Sequence, residues 1–388
     1  MNRHMIVFLS LYVLLYGLMH LYFYLGLRHL AGAGIIRALY PVFSVFMIMG
    51  PVLSRWCEYL GAGCLEKYLA WVSYLWMGFL FLTISLMIIM DLSRAVAWTV
   101  GFRKSAFYGG FFAPSRRFLL CLILSAALCI YGYGEAFSIG SDHMVLRSDK
   151  IPQNAGMVRI VQISDIHLGL MVGRRKVELI LDTIRQWSPH ILVCTGDLVD
   201  GQMGTIDGIS LLFSEMGSPM GKYAVTGNHE FYVGYEQSGK FIEKAGFTLL
   251  RGETVILGDT LAITGVDDPA VRLFNGNAGP SEEELLRQVP DSLFHILLKH
   301  QPVSEEGSRG LFDLQLSGHI HGGQIFPFSL LTRLVYPYGV GLHDLGQGSR
   351  IYVSSGAGTW GPPYRVLASP QITVIDVVSG NPETRGDR

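Results

Sequence analysis

The sequence is poor in charged residues and in cysteine. Asp, Glu, Lys and Arg together make up only 16% of its 388 residues, and the two signs nearly cancel to a net charge of −1. Because binding to nucleic acid relies on a basic surface, this balance gives no indication of a nucleic-acid partner. The chain contains five cysteines. Two of them, Cys57 and Cys64, lie in one short loop, where a disulfide and a pair of free thiols fit the sequence equally well.

Apolar residues make up half of the chain and are concentrated in its first third. Four runs there lack Asp, Glu, Lys and Arg: 5–27, 38–54, 68–90 and 118–134. A transmembrane helix needs roughly 20 apolar residues, which the first and third runs supply. The second and fourth runs are shorter, and the second also contains two prolines. We predict an α-helical transmembrane bundle of about four spans over residues 1–135; the first run is too long for the core of a typical signal peptide.

The placement of basic residues predicts the orientation of these spans. The strongest basic cluster near the membrane lies between the third and fourth runs and consists of Arg94, Arg103, Lys104, Arg116 and Arg117. Because cytoplasmic loops carry the excess of Lys and Arg, this segment is expected in the cytoplasm. The chain that follows the fourth span is then expected outside the cytoplasm, on a protein of the plasma or inner membrane.

The rest of the chain has the pattern of an α/β protein. Short β-rich runs occur at 157–164, 190–196, 222–227, 254–257, 261–266, 294–299, 313–317, 351–354 and 371–377. Helical spacing of apolar residues occurs at 174–187, 209–216 and 235–246. Alternating strands and helices, followed by a strand-rich half, indicate a layered α/β domain with mixed sheets. We place this domain at 157–378, after a linker at 136–156 and before a flexible tail at 379–388.

Polar residues that can act as ligands follow five of these predicted strands. They are Asp165, His167, Asp197, Asn228, His229, His300, His319 and His321. Each one alone has an ordinary explanation, such as a helix cap or an Asx-turn. Five strand ends that all deliver oxygen or imidazole groups indicate one binding crevice at the edge of a sheet. Glycines flank nearly all of these residues and permit tight turns and close approach of the backbone.

The donor set favours two metal ions over one. A single structural zinc takes four ligands and prefers cysteine, whereas this set has seven nitrogen and oxygen donors and no cysteine. Two divalent ions roughly 3.5–4 Å apart, sharing one carboxylate, would use such a set fully. Imidazole, carboxylate and amide donors together suit manganese, iron or zinc better than calcium.

The ordered motifs resemble one known family. Asp-x-His, Gly-Asp, Gly-Asn-His-Glu, a lone His and Gly-His-x-His follow one another as in the calcineurin-like metallophosphoesterases, and the resemblance covers about residues 157–378. "GVDDP" (265–269) and "GAGTWGPPYR" (356–365) are similar to the membrane-anchored, bacterial-type phosphodiesterase branch. The resemblance implies a two-sheet β-sandwich flanked by helices and an active, metal-dependent phosphoesterase.

The resemblance also implies a role for each ligand. Metal one would be held by Asp165, His167 and His321. Metal two would be held by Asn228, His300 and His319. Asp197 would bridge both ions, and His229 would be the catalytic proton donor or transition-state stabiliser. Two divalent ions (Mn, Fe or Zn) would then activate hydroxide near neutral pH for attack on phosphorus.

The substrate is suggested by an apolar segment at 325–342, next to the last motif. It can be a buried excursion packed on the sheet or an apolar lip that faces the bilayer. The second interpretation gives five candidate substrate contacts: Phe326, Phe328, Tyr336, Trp360 and Tyr364. We expect a membrane-anchored dimetal phosphohydrolase, preferentially a phosphodiesterase, with the lipid bilayer and a lipid-linked phosphoester as partners. The alternatives are a pyrophosphatase acting on a nucleotide-linked glycolipid and a non-catalytic, metal-dependent membrane receptor or subunit.

Overall fold

The structure is a computed structural model that describes residues 3–30, 32, 34–201, 206, 208–274 and 279–380. It divides into two compact units: residues 1–134 with 361–364, and residues 135–360 with 365–388. From residue 381 onward, the tail predicted at 379–388 lies outside the described residues.

The first unit is helical. Its helices are α1 (Arg3–Leu27), α2 (Gly34–Tyr59), α3 (Cys64–Thr99), the short α4 (Ala106–Phe111) and α5 (Pro114–Glu135). In the part of the chain that the structure describes, four helices are long and apolar enough to cross a membrane, namely α1, α2, α3 and α5. The predicted bundle of about four spans is confirmed, and α2 continues through both of its prolines.

The interior of this helical unit is aromatic. Tyr16, Phe23, Tyr40 and Phe118 are buried in one cluster, while many leucines and valines on the outer faces are exposed, as expected for helices surrounded by lipid. His20 is also buried and forms a 3.0 Å hydrogen bond with the Tyr40 hydroxyl, which satisfies its ring inside the bundle. All five cysteines of the chain are free thiols, so no disulfide closes the loop between α2 and α3.

The second unit is built from strands and short helices. Its strands are β1 (Gly140–Ser148), β2 (Met157–Ile163), β3 (Ile191–Cys194), β4 (Lys222–Ala224), β5 (Thr248–Leu249), β6 (Glu253–Leu257), β7 (Leu261–Gly265), β8 (Phe294–Leu298), β9 (Leu314–Ser317), β10 (Gly341–Gly346), β11 (Ser349–Val353) and β12 (Gln371–Ser379). Its helices are α6 (Arg174–Trp187), α7 (Ile209–Ser214), α8 (Asn228–Val233), α9 (Tyr235–Lys244), α10 (Glu282–Leu286) and α11 (Phe328–Val335).

These strands form two six-stranded mixed sheets. One has the order β1-β12-β2-β3-β4-β5 and the other β10-β11-β9-β8-β7-β6. Ile160 and Val193 of the first sheet and Ile263, Ile296 and Leu316 of the second belong to one buried cluster, so the sheets face each other. A second cluster packs α6, α7 and α9 on the outer face of the first sheet. The predicted two-sheet sandwich flanked by helices is confirmed.

Parallel pairing within each sheet brings the polar motifs together. In the first sheet β2, β3 and β4 are parallel neighbours, and in the second sheet β8 and β9 are parallel neighbours. Because the carboxyl ends of parallel strands lie along the same edge of their sheet, the residues that follow β2, β3 and β4 lie close together. The residues that follow β8 and β9 lie close together in the second sheet for the same reason.

The segment predicted as a linker differs from that expectation. Residues 140–148 of it form β1, which pairs in parallel with β12 from Gly140 opposite Gln371 to Ser148 opposite Ser379. The strand lies at the edge of its sheet, and most of its side chains are exposed or half-buried. It therefore lacks the run of apolar residues from which a buried strand is predicted.

Candidate metal centre

The predicted ligands follow five strands and converge. Asp165 and His167 follow β2, Asp197 follows β3, and Asn228 and His229 are the first residues of α8, after β4. His300 follows β8, and His319 and His321 follow β9. Among the described residues, three groups of side chains have ligand atoms close enough to share a metal ion: Asp165 with His167 and His321, His167 with Asp197 and His229, and Asp197 with His300 and His319.

The first group holds its donor atoms around one point. The Nε2 atoms of His167 and His321 are 2.9 Å apart, and the His321 Nε2 lies 3.5 Å from an oxygen of Asp165. The Asp165 and His167 side chains are almost completely buried. Two imidazole nitrogens that face each other at hydrogen-bond distance, beside a carboxylate, form a donor set suited to a divalent cation.

The group of Asp197, His300 and His319 lies beside the first group, because Asp197 also approaches His167. One Asp197 oxygen is 3.1 Å from the Nε2 of His300 and 3.7 Å from the Nε2 of His167. His319 directs its Nδ1 to within 3.1 Å of the same His300 nitrogen. The other ring nitrogen of His300 donates to the Thr195 carbonyl at 2.7 Å, which fixes the ring and leaves its Nε2 facing the cluster. Asp197 is thus placed to bridge two cations.

The backbone at these ligands is strained. Within the described ranges nine residues other than glycine have a positive φ, and five of them are predicted ligands: Asp165, His167, Asp197, His319 and His321. Such conformations cost of order 1–3 kcal/mol each and persist only where the surroundings enforce them. Their concentration at one cluster indicates that the fold is organised around the ligand positions.

Two glycines give the ligands room. A Cβ atom at Gly227 would overlap the Asp197 carboxylate, and one at Gly318 would overlap the Asp165 carboxylate. Gly322 and Gly323 have positive φ angles of 60° and 84°, which turn the chain sharply after His321. The glycines of residues 317–324 (SGHIHGGQ) thus allow the backbone to approach Asp165 closely and to turn sharply after His321.

Burial sets the protonation state of three imidazoles. It lowers the pKa of His167 and of His319 to about 3 and holds the pKa of His321 well below its ordinary value. These rings are neutral at pH 7, as a metal ligand must be. Burial alone would raise the pKa of the Asp197 carboxyl, but the neighbouring His300 and other imidazoles hold it well below its ordinary value.

Asn228 has the environment of a further ligand. Its side-chain carbonyl oxygen is buried and has no hydrogen-bond partner among the described residues. The amide of the next residue, His229, donates to an Asp197 oxygen at 2.9 Å, which brings this turn against the cluster. A buried carbonyl oxygen without a donor calls for an explanation, and a cation beside Asp197 gives one. The residues present therefore fit a pair of divalent ions.

Comparison with known proteins agrees with this geometry. The sequence profile described as calcineurin-like phosphoesterase matches residues 158–323. An "uncharacterized metallophosphoesterase" of Aquifex aeolicus is 36% identical over 257 residues, which are 66% of this chain and 98% of that protein. The chain belongs to the calcineurin-like metallophosphoesterase family. It is a metal-dependent phosphoesterase, and the family uses a dimetal centre.

Two further relatives are longer than the part they share with this metallophosphoesterase. A Helicobacter pylori protein with the same description is 35% identical over 58% of this chain and 60% of its own length. The "transmembrane protein with metallophosphoesterase domain" of Danio rerio is 30% identical over 67% of this chain and 62% of its own length. The chain thus spans about three fifths of these two relatives.

The predicted proton donor, His229, forms a hydrogen bond with Asp200, a residue that was not predicted from the sequence. The Nδ1 of His229 lies 2.7 Å from an oxygen of Asp200. Burial alone would lower the pKa of His229, but the carboxylates of Asp197 and Asp200 outweigh it and raise the pKa to about 9. His229 therefore carries a proton at neutral pH, with Nδ1–H on Asp200 and Nε2–H available to the site.

Two more supporting residues lie behind the ligands. Buried Glu230 accepts hydrogen bonds from the backbone amides of Gly227 at 2.7 Å and of Asp197 and Val199 at 3.0 Å each, and so fixes the Asp197 turn. Arg365 is completely buried and donates to the carbonyls of His321 at 2.8 Å and Gly358 at 2.6 Å. Their sequence signals are weak, because a Glu beside a ligand and an Arg near a proline pair are ordinary surface residues in most chains.

The five candidate substrate contacts occupy different places. Trp360 lies with its ring centroid 5.5 Å from that of His229, and Tyr336 forms a 2.6 Å hydrogen bond with the Nε2 of His319. Phe326 and Phe328 are exposed at the start of α11. Tyr364 is buried in the helical unit, where its hydroxyl donates to the Leu75 carbonyl at 3.4 Å. Contact with substrate stays a prediction for all five.

Proposed function

We propose that this metallophosphoesterase is a membrane-anchored phosphodiesterase that cleaves a phospholipid or another lipid-linked phosphoester. The observation that carries the proposal is an exposed aromatic rim around the proton-bearing His229. Trp360 and Tyr232 both meet the His229 ring edge-on, with centroids 5.5 and 5.3 Å away. Exposed rings beside a polar cluster suit a substrate that has a phosphate next to apolar groups.

The rim is wide and accessible. Trp360 is 49% exposed, Tyr232 is 55% exposed, and Phe274, which is 52% exposed, lies 6.1 Å from the Tyr232 ring. Large aromatic side chains left in contact with water are a cost unless a partner covers them. Gln324 holds Trp360 in place through two hydrogen bonds to its backbone, at 3.0 and 2.8 Å. Trp360 is therefore a fixed part of the rim, and the rim offers an apolar surface to the substrate.

The side chains of the site divide the work of hydrolysis. Two divalent cations held by the cluster would draw charge from the phosphoryl oxygens and lower the pKa of a water molecule. His229 donates its Nε2 proton to the oxygen that leaves phosphorus. Water supplies the new P–O bond, the bond from phosphorus to the leaving oxygen breaks, and the products are a phosphomonoester and an alcohol. Asp200 keeps the His229 ring in the orientation that this transfer requires.

The membrane anchor supports a lipid-linked substrate. The four apolar helices are long enough to anchor the protein in a bilayer, and only four residues separate the end of α5 at Glu135 from the start of β1 at Gly140. Such a tether spans less than about 20 Å.

The basic residues between α3 and α5 favour an orientation in which the phosphoesterase unit lies outside the cytoplasm. Labelling of a cysteine introduced at exposed Leu211 by an impermeant reagent, in intact cells, tests this orientation.

The proposed activity is tested with the detergent-purified full chain. Hydrolysis of the soluble diester bis-p-nitrophenyl phosphate and of phosphatidylglycerol in mixed micelles is measured with manganese, with zinc and with a chelator. Trp360→Ser is compared with Leu211→Ser, which removes an apolar side chain that is 61% exposed on α7. We expect Trp360→Ser to reduce phospholipid hydrolysis about 10-fold or more and soluble-diester hydrolysis much less, while Leu211→Ser changes neither.

Three outcomes separate the alternatives. Hydrolysis of the soluble diester without hydrolysis of any membrane phosphodiester, over a panel of headgroups, would refute the lipid-linked substrate. Hydrolysis of a nucleotide-linked glycolipid alone would identify the pyrophosphatase. Metal binding without turnover of any ester would identify the non-catalytic receptor or subunit.

A further inference from the structure

Helix α11 has its apolar side chains on the outside. None of its eight residues, all of which the structure describes, is buried. Leu330, Leu331, Leu334 and Val335 are 54%, 52%, 82% and 73% exposed. At 100° per residue these four positions share one side of the helix. A surface helix of a water-soluble protein has the opposite arrangement, with its apolar side turned to the core.

The opposite side of α11 is polar and covers a cavity. Ser329, Thr332, Arg333 and Tyr336 follow one another at helical spacing, and all four line a cavity of about 590 Å³ in the phosphoesterase unit. The cavity floor includes Gly322, from the turn that follows His321. Among the residues that the structure describes, no carboxylate pairs with Arg333. The inward side of α11 thus presents hydroxyl groups and one free cation.

Both ends of helix α11 contact the loop at 318–324, which contains the predicted ligands His319 and His321. At its start, a Cβ atom at Gly323 would overlap the backbone of Ser329, so the first turn packs directly on the loop. At its end, the Tyr336 hydroxyl meets the Nε2 of His319 at 2.6 Å. The outward leucines are therefore fixed relative to the metal ligands.

A further apolar residue lies at the mouth of the cavity. Leu367 lines the cavity, is 73% exposed, and has a φ of 56°. A leucine rarely adopts this conformation, and strain of this kind is concentrated at ligand contacts. Val340, also at the cavity, is 40% exposed. The apolar surface of α11 therefore continues along the rim of the cavity.

We infer that α11 is an interfacial helix whose outward side, formed by Leu330, Leu331, Leu334 and Val335, inserts into the lipid bilayer, with Arg333 placed to meet an anionic headgroup phosphate. An apolar outer side combined with a polar, cationic inner side is the arrangement of helices that lie at a membrane surface. The free charge of Arg333 is complementary to a lipid phosphate. The short tether keeps the unit at a bilayer. This inference deepens the proposed function and rests on it for the identity of the bound lipid as substrate.

The insertion is measured without relying on activity. The full chain, with Cys57 and Cys64 replaced by serine, is reconstituted in nanodiscs that contain anionic lipid. An environment-sensitive fluorophore is attached at Leu334→Cys, and in a matched sample at Leu211→Cys, which is 61% exposed on α7. We expect blue-shifted emission at 334 that nitroxide-labelled acyl chains quench at least 2-fold more than at 211. Equal emission and equal quenching at both positions would overturn the inference.

A second pair of measurements separates this inference from the proposed function. The Leu331→Glu/Leu334→Glu variant is expected to hydrolyse phospholipid in nanodiscs at least 10-fold more slowly than wild type, at an unchanged rate on the soluble diester. If α11 is inserted but the chain hydrolyses no diester, the proposed function is refuted and the insertion is not. A chain active on lipid whose residue 334 stays in water would refute the insertion alone. Blue-shifted emission at 334 without quenching by lipid would assign this side to a protein contact and also overturn it.

Discussion

The Nδ1 atom of His229 lies 2.7 Å from a carboxylate oxygen of Asp200. The carboxylates of Asp197 and Asp200 raise the pKa of His229, so the ring keeps its proton in a site where burial alone would remove it. The phosphoesterase therefore has a charged imidazole beside its metal ligands at neutral pH, in the state that a proton donor requires.

Replacement of Asp200 by Asn tests this relationship. The variant loses the negative charge that raises the His229 pKa, so the proton is lost at lower pH. Because the protonated ring is the active form, we expect the alkaline limb of the pH–rate profile for the soluble diester to move to lower pH. Turnover at pH 8 should fall about 10- to 100-fold. Asp182→Asn, at an exposed carboxylate on α6, is the control. An alkaline limb that does not move would contradict the role of Asp200.

The role of His229 itself is tested by its replacement with Gln. The structure brings its ring near His167 and Asp197, so it has the position of a ligand as well as of a proton donor. As a proton donor, it should be dispensable for metal binding but should contribute about 10²–10⁴-fold to turnover. We expect His229→Gln to retain the metal content of the wild type, measured by mass spectrometry, and to lose turnover in that range. A loss of metal as large as in His321→Gln would identify it as a ligand.

Tyr336 is expected to position His319. Its hydroxyl meets the ring nitrogen of His319 that points away from His300. Residues that orient a ligand in this way typically contribute 10- to 100-fold to metal affinity. Tyr336→Phe should weaken metal binding by such a factor in a chelator competition. Tyr338→Phe is the control and should not weaken metal binding. Tyr338 lines the same cavity, but its ring packs near His343, with 5.6 Å between the ring centroids, and His343 is not a predicted ligand. Equal affinities in both variants would show that Tyr336 has no such role.

Lys176 provides a test of stability. Its side chain on α6 is only 5% exposed, and its ammonium has no hydrogen-bond partner among the described residues, although it lies 5.4 Å from the Phe137 ring centroid. Burial lowers the pKa of Lys176 from 10.5 to about 7. We expect Lys176→Met to raise the free energy of unfolding at pH 7 by about 1–3 kcal/mol, whereas Lys240→Met, at an exposed position, does not.

The pH dependence of this effect has a definite sign. Between pH 7 and 10.5 the unfolded chain binds the Lys176 proton and the folded chain does not. Stability of the wild type therefore rises with pH across this window, and the advantage of the Met variant shrinks. Thermal midpoints of wild type and variant, measured at pH 7 and pH 10, check this. An advantage that grows with pH would contradict the assignment of a buried, unpaired amine.

The ligand cluster could be predicted from the sequence because it depends on a simple rule. Residues that follow parallel strands of one sheet meet at one edge of that sheet, so strands with apolar runs and polar ends place Asp165 with Asp197 in the first sheet and His300 with His319 in the second. Helix α6 is likewise predicted at its observed bounds, because its apolar residues recur at helical spacing over a whole 14-residue segment.

Other features required the structure. Strand β1 is an edge strand with few buried side chains, so it lacks the pattern that marks a strand. The apolar segment at 325–342 contains α11, and the sequence could not decide whether its leucines point inward or outward. Asp200 and Arg365 resemble surface residues in sequence. Their roles depend on contacts with His229 and with the backbone around His321, which only the folded chain brings about.

The central claim is that the converging side chains hold two metal ions that are required for hydrolysis, and it is tested most directly by one experiment. Metal content and bis-p-nitrophenyl phosphate hydrolysis are measured on the same detergent-purified samples of wild type and Asp197→Asn. We predict about two divalent ions per wild-type chain, with turnover that a chelator abolishes and added manganese or zinc restores. The variant should lose at least one ion and all measurable turnover. Full turnover in the variant, or in wild type stripped of metal, would contradict a metal-dependent phosphoesterase built around Asp197.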